Sequence, residues 1–211
     1  KKIYRTKLYY NTYKSKTPTD IKKAYKKWAP YYEYHITDMG WSAPKLCVNL
    51  LINNINNNNN NNFNKKYSIL DVGVGTGLVG IELKNNENYN SNSSNYILDG
   101  CDISPDMLKI ADEKKCYNNL IEMNVEDMSN IKENSYDAIL CVGALNFGHI
   151  LPSVFNEFNR ITKKQSGLIC FTTRKDYYDI LSKKVQKQLE DDKKWKMLDK
   201  KKYGDEAVKD M

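Results

Sequence analysis

Leu70-Asp71-Val72-Gly73-Val74-Gly75-Thr76-Gly77-Leu78-Val79 is the stretch whose reading decides the fold. The apolar residues around its start (Tyr67, Ile69, Leu70, Val72) read as a short strand with Asp71 near its end. Three glycines at alternate positions follow, then a helix-forming segment. Strand, glycine turn and helix together make a nucleotide-type pocket. Glycine permits φ > 0 and lets a ligand approach bare backbone. The spacing narrows the choice of ligand. A dinucleotide fingerprint, G-x-G-x-x-G, wants its third glycine at position 78, and this chain has Leu78 there. A nicotinamide oxidoreductase is therefore disfavoured, and no pyrophosphate is implied.

Three further segments follow in the order such a fold requires. Tyr96-Ile97-Leu98-Asp99-Gly100-Cys101-Asp102 reads as a second strand ending in an acid. A carboxylate there can accept from both hydroxyls of a ribose. Ser104 and Pro105 then open a helix as N-cap and first helical residue. Tyr136-Asp137-Ala138-Ile139-Leu140-Cys141-Val142-Gly143-Ala144 reads as a buried central strand, and Gly167-Leu168-Ile169-Cys170-Phe171-Thr172-Thr173-Arg174 as another. Near-continuous apolar runs bounded by turn residues are the mark of a parallel sheet covered on both faces.

The motif Asp-x-Gly-x-Gly-x-Gly resembles the first motif of class I S-adenosylmethionine (SAM) methyltransferases. Within that class, four segments are similar to the Williams–Beuren syndrome critical-region methyltransferase-like family. They are Ala24-Tyr25-Lys26-Lys27-Trp28-Ala29-Pro30-Tyr31-Tyr32-Glu33, Ala43-Pro44-Lys45-Leu46, Val142-Gly143-Ala144-Leu145 and the Gly167 to Arg174 strand. The likeness runs from about Tyr25 to about Leu189. It implies an α/β, Rossmann-like class I methyltransferase fold, a mostly parallel sheet with helices on both faces, and SAM as cofactor. It implies no particular methyl acceptor.

Composition sets wider bounds. A chain of 211 residues suffices for one α/β domain and is short for two. The net charge is +7. The lysines are scattered (Lys14, Lys22, Lys65, Lys84, Lys109) or crowd the end of the chain (Lys183, Lys184, Lys187, Lys193, Lys194, Lys196, Lys200, Lys201, Lys202). A solvated lysine face is favoured over a nucleic-acid surface. The five cysteines, with no C-x-x-C, argue against a disulfide framework or a zinc site and for a reducing, cytoplasmic setting. No apolar stretch reaches membrane-spanning length. Residues 1–19 carry no acid and are expected to form a basic flexible tail, with a targeting remnant as the other reading. The chain opens on Lys1, so a longer N-terminus is expected.

A single domain is expected over residues 20–211, with an N-terminal lid over about 20–52. Thr19 or Asp20 can cap a helix that runs to Trp28 and stops before Pro30, and Ala43 to Ile52 reads as a second helix. Two Asn-rich insertions, 53–62 and 85–95, cannot bury apolar surface and are expected to be loops. The second places Asp102 about thirty residues beyond Asp71, where roughly twenty is usual. A third strand is expected within Leu120 to Val125, and helices over Pro152 to Ile161 and Asp176 to Leu189. Trp195 to Tyr203 reads as the start of a closing hairpin. No final strand is evident before Met211, so either a truncated chain or a sheet that ends short is expected.

The resemblance also implies roles for residues. Gly73, Gly75 and Gly77 let the backbone approach the amino-acid and ribose parts of SAM. Asp71 holds the turn and reaches the methionine ammonium, and Asp102 takes the ribose diol beside Ile103, which flanks the adenine. Asn124 and Val125 stand at the adenine edge, and the Val142 carbonyl, next to Gly143, accepts from the ammonium. Tyr25, Trp28, Tyr32 and Trp41 come from the lid, where aromatics can enclose a sulfonium and exclude water. Ordinary packing of an amphipathic helix is the competing reading for each. No general base stands out. His149, after the fourth strand, is the weak candidate, and a soft or deprotonated acceptor needs none. The expected activity is methyl transfer from SAM to a small molecule or a protein. The alternatives are an RNA methyltransferase using the lysine-rich C-terminal region, and an inactive SAM-binding regulatory module.

Overall fold

The computed structural model describes residues 2–15, 17–58, 66–86, 96–146, 150–181, 190–192 and 195–198. Five strands form one parallel sheet: β1 (Tyr67–Val72), β2 (Tyr96–Asp102), β3 (Asn119–Glu122), β4 (Ala138–Leu145) and β5 (Leu168–Thr173). Their spatial order is β3-β2-β1-β4-β5. The order reverses at β1, which pairs with β2 on one side and β4 on the other. In open α/β sheets the ligand crevice lies at such a switch point, beyond the carboxyl ends of the strands.

Alternation along the strands divides the core. Leu70, Val72, Cys101, Ile139 and Cys141 pack on one face with Phe155, Phe158 and Ile161 of α7 (Val154–Ile161). Ile69, Leu98, Ala138, Leu140 and Cys170 pack on the other, against α4 (Ala43–Asn58) and α5 (Leu78–Asn85). The strand cysteines are buried and free, as small hydrophobes are. The sheet with helices on both faces is the architecture expected from the sequence.

Several boundaries moved. Helix α1 (Lys2–Lys14) forms where a flexible basic tail was expected, with Leu8 and Thr12 buried. Leu8 packs on Trp28, which gives this segment an apolar anchor the charge pattern hides. Helix α2 (Pro18–Trp28) is capped by Thr17, not by Thr19 or Asp20. The Thr17 hydroxyl accepts from the Asp20 N–H at 3.1 Å and donates to its carboxylate, with Pro18 at the first helical position. A 3-10 turn (Ala29–Tyr31) leads into α3 (Tyr32–Asp38). Helix α4 runs past Ile52 into the asparagine tract as far as Asn58, because Ile52 and Ile55 stay on its buried face. The other asparagines of that tract, and residues 87–95 of the second, lie outside the described residues.

After β2, α6 (Pro105–Glu113) is capped by the Ser104 hydroxyl as expected. β3 is shorter than its expected span and leaves Asn124 and Val125 beyond its end. Helix α7 begins at Val154, and α8 covers Lys175–Leu181. Residues 182–189 and most of the expected closing hairpin lie outside the described residues. Among the described residues no helix is long and apolar enough to cross a membrane.

Candidate functional site

The turn after β1 folds back under β2. Gly73 N–H and Val74 N–H both donate to the Cys101 carbonyl, at 2.8 and 3.1 Å. Gly73, Gly75 and Gly77 all have positive φ. At Gly73 a Cβ would stand 2.7 Å from the Ala144 side chain on β4, so this glycine lets the two strand ends close up. At Gly75 no atom stands closer than 4.0 Å to that position. Bare backbone there faces open space, which suits a ligand's approach.

Two acids sit at adjacent strand ends. Asp71 is 1% exposed and Asp102 9%. Asp102 accepts from Gly75 N–H through Oδ2 and from Ser104 N–H through Oδ1, both at 2.8 Å. Each carboxylate oxygen retains further accepting capacity. Burial raises the Asp102 pKa, and the Ser104, Gly75 and Ile103 N–H groups oppose the shift. Asp71 accepts from the Tyr117 hydroxyl at 2.8 Å. Burial pushes its carboxyl up to about 7; the Tyr117 bond pulls the other way and the nearby Asp102 charge adds to the rise. Among the described residues neither acid pairs with Lys or Arg.

The end of β4 completes the crevice. Its pairing with β5 is irregular between Cys141 and Leu145, where Val142 and Gly143 lie. Gly143 has φ +79°, and a Cβ there would meet the Trp41 ring at 2.9 Å. Its N–H donates to the Thr172 hydroxyl and its carbonyl accepts from Asn146 Nδ2, both at 2.8 Å. Two buried polar atoms flank this region without a hydrogen-bond partner among the described residues: Thr76 Oγ1 in the glycine turn and Asn146 Oδ1 beyond β4.

The first three helices cover the crevice. Trp28, 2% exposed, stacks on Tyr25 at 6.0 Å and meets Tyr32 edge-on at 4.9 Å. Its indole N–H donates to His35 Nδ1 at 3.0 Å. This cluster also touches Leu78, the first residue of α5, and Trp41. Burial raises the pKa of both Tyr25 and Tyr32, and the Asp102 charge adds to the rise in each. Ion pairs tie the cover down: Lys22 to Glu122 at 2.5 Å, and Glu33 to Lys114.

The structure thus brings Asp71, the three glycines, Asp102, Ile103, Val142, Gly143 and the lid aromatics to one end of the sheet. Asn124 lies beyond β3, where its side chain accepts from Glu126 N–H and lines a groove of about 330 Å³ with Met123, Asp127 and Asn130. Val125 is buried in the core. His149 lies outside the described residues. Sequence reasoning missed Tyr117, Thr172 and Asn146. For Tyr117 a signal existed, since Gly80 and Gly100 are glycines that the turn motif does not use.

A parallel sheet with this strand order, a glycine turn at its switch point and an acid ending the next strand define a class I, Rossmann-like methyltransferase fold. The chain belongs to the methyltransferase domain family, whose model matches residues 63–209. It is 32% identical to human methyltransferase-like protein 27 over 153 residues, 71% of this chain and 56% of the relative. The chain therefore spans little more than half that relative's length. Solved structures give more distant likenesses. One is a candidate S-adenosyl-L-methionine-dependent methyltransferase from Methanococcus maripaludis, 20% identical with a TM-score of 0.49, covering 82% of this chain and 74% of the other. Another is the candidate methyltransferase bound to the Haloferax volcanii Trm112 methyltransferase activator, 17% identical with a TM-score of 0.49, covering 66% and 55%. The fold stands on the strand order itself.

Proposed function

We propose that this chain binds SAM at the turn after β1 and transfers its methyl group to a small-molecule or protein acceptor. One observation carries the reading: two buried acids at adjacent strand ends, with no Lys or Arg beside them among the described residues. Burying a carboxylate without a cation partner is costly. A ligand that brings both an ammonium and a ribose diol offsets that cost at both positions.

When bound, SAM supplies a methyl group activated on a sulfonium, and a nucleophile that takes it leaves S-adenosylhomocysteine. The chain supplies the rest. Asp71 and the Val142 carbonyl hold the ammonium, and Asp102 accepts from the ribose hydroxyls. Ile103 flanks the adenine. Backbone at Gly73, Gly75 and Gly77 allows close approach. Tyr25, Trp28 and Tyr32 close the mouth, exclude water and present aromatic faces to a cation. Positioning two reactants in a dry cavity accounts for much of the rate such a site can supply.

The test is transfer of labelled methyl from SAM into fractionated cell extract. Label in the small-molecule or protein fraction is expected. Label confined to RNA would overturn the acceptor class. Cofactor binding with no labelled fraction would favour a regulatory module without activity.

A further inference from the structure

We infer that Tyr117 is a positioning residue of the cofactor site, whose hydroxyl fixes the Asp71 carboxylate to the first turn of α5 and whose ring sits in a socket left by glycines. The inference rests on the SAM reading above. Tyr117 belongs to neither motif strand; it lies in the loop between α6 and β3. Its hydroxyl nevertheless reaches the centre of the site. It accepts from Gly80 N–H at 3.1 Å and donates to Asp71 Oδ2 at 2.8 Å.

The direction of this relay is forced. A backbone N–H can only donate, so the phenol oxygen accepts from Gly80 and its single proton is left for Asp71. The relay also fills a gap in the helix. The first turn of an α-helix has N–H groups without partners in the helix, and an N-cap side chain usually takes one. Here the N-cap is Gly77 at φ +87°, which has no side chain. Tyr117 supplies the missing acceptor from elsewhere in the chain. The positive φ that the turn needs and the cap that the helix needs are thereby met by different residues.

The ring packs against three glycines. A Cβ at Gly80 would stand 2.7 Å from the Tyr117 ring, and one at Gly77 3.2 Å from it. At Gly100 on β2 a Cβ would lie 3.0 Å from the ring and 2.4 Å from Val74. The ring is thus wedged between α5, the turn and β2.

Tyr117 is also the polar side chain that steadies a charge on Asp71. Among the described residues the ionisable groups that interact with Asp71, besides Tyr117, are Asp102 and Cys101 on β2, Cys141 on β4 and Cys47 on α4, and none of these is a cation. Burial holds the Asp71 carboxyl up at about 7, and the Tyr117 bond is what lowers it. Without the hydroxyl the carboxyl titrates at higher pH and is mostly neutral at pH 7. A neutral acid no longer attracts an ammonium. Affinity is then lost at neutral pH and returns as pH rises through the new midpoint.

The experiment compares the full chain with Tyr117→Phe, which keeps the ring, and Gly80→Ala, whose methyl displaces it. Carboxyl NMR of the ligand-free proteins, with Asp71 assigned through Asp71→Asn, reads the midpoint directly. Calorimetric titration with SAM from pH 6 to 8.5 reads affinity as a variant-to-wild-type ratio, which cancels the titration of the ligand itself. Both variants are expected to raise the Asp71 midpoint. They should weaken SAM about ten-fold at pH 7, as loss of a hydrogen bond to a charged group implies, with the gap narrowing toward pH 8.5. In the Asp71→Asn background, Tyr117→Phe should cost little more. An unmoved midpoint overturns the inference, and so does a moved midpoint with an unchanged SAM profile. A wild-type chain that binds no SAM at any pH would instead sink the cofactor reading, while the NMR arm still decides whether Tyr117 governs Asp71.

Discussion

The sheet and the helices that cover its carboxyl end both bury large side chains, by different means. β1 and β4 lie between two packed layers, and each pairs with a parallel neighbour on both sides. Among the described residues the apolar cluster at the centre of the cover, α1 to α3, buries Leu8, Trp28 and Ile36, ringed by half-buried tyrosines. Its ties to the rest are the contacts of that cluster with Leu78 and Trp41, the Arg174 guanidinium over the Tyr13 ring, and ion pairs of partly exposed side chains, Lys22 with Glu122 and Glu33 with Lys114. Such pairs contribute about 0–1 kcal/mol each. Apolar burial of several side chains per strand far exceeds that. On the proposed reading the cover is the part that admits the ligand, and its opening is expected to leave the sheet intact.

The largest expected effect breaks this division at its centre. Trp28→Ala removes the ring on which Tyr9, Tyr25 and Tyr32 converge, and truncating a buried aromatic costs roughly 3–5 kcal/mol. Hydrogen exchange should show α2 and α3 losing protection while Ala138–Leu145 keeps its own. Equal loss in both regions would mean that cover and sheet unfold as one unit.

A smaller effect belongs to the sheet side. Asp102→Ala removes the carboxylate assigned to the ribose and leaves the Gly75 and Ser104 N–H groups without their acceptor. Hydrogen bonds to charged groups contribute roughly 1.5–3 kcal/mol, so SAM affinity should fall by about one to two orders of magnitude. Unchanged affinity in a folded variant would remove Asp102 from the site.

How much of this was legible in the sequence follows the same division. The sheet side was readable because its signals are local. Asp71 to Gly77, the acid at 102, the Ser104-Pro105 cap and the apolar runs of β4 and β5 each fall within a few residues, in the order the topology needs. The cover was less so. α1 reads as a basic tail until Leu8 finds Trp28, and the asparagine tract reads as a loop until Ile52 and Ile55 place it on a buried helix face. For Tyr117 the glycines at 80 and 100 hint that a ring must be accommodated, but they do not say which one. Its partners Asp71 and Gly80 lie 46 and 37 residues away, and no local spacing reports them.

The measurement that bears most directly on the cofactor site is calorimetric titration of the chain with SAM, S-adenosylhomocysteine and NAD. Glycines at 73, 75 and 77, Leu78 where a dinucleotide fingerprint has its third glycine, and the paired acids predict that SAM and S-adenosylhomocysteine bind and that NAD does not. Comparable affinity for NAD, or no binding of either adenosyl ligand, would contradict the assignment.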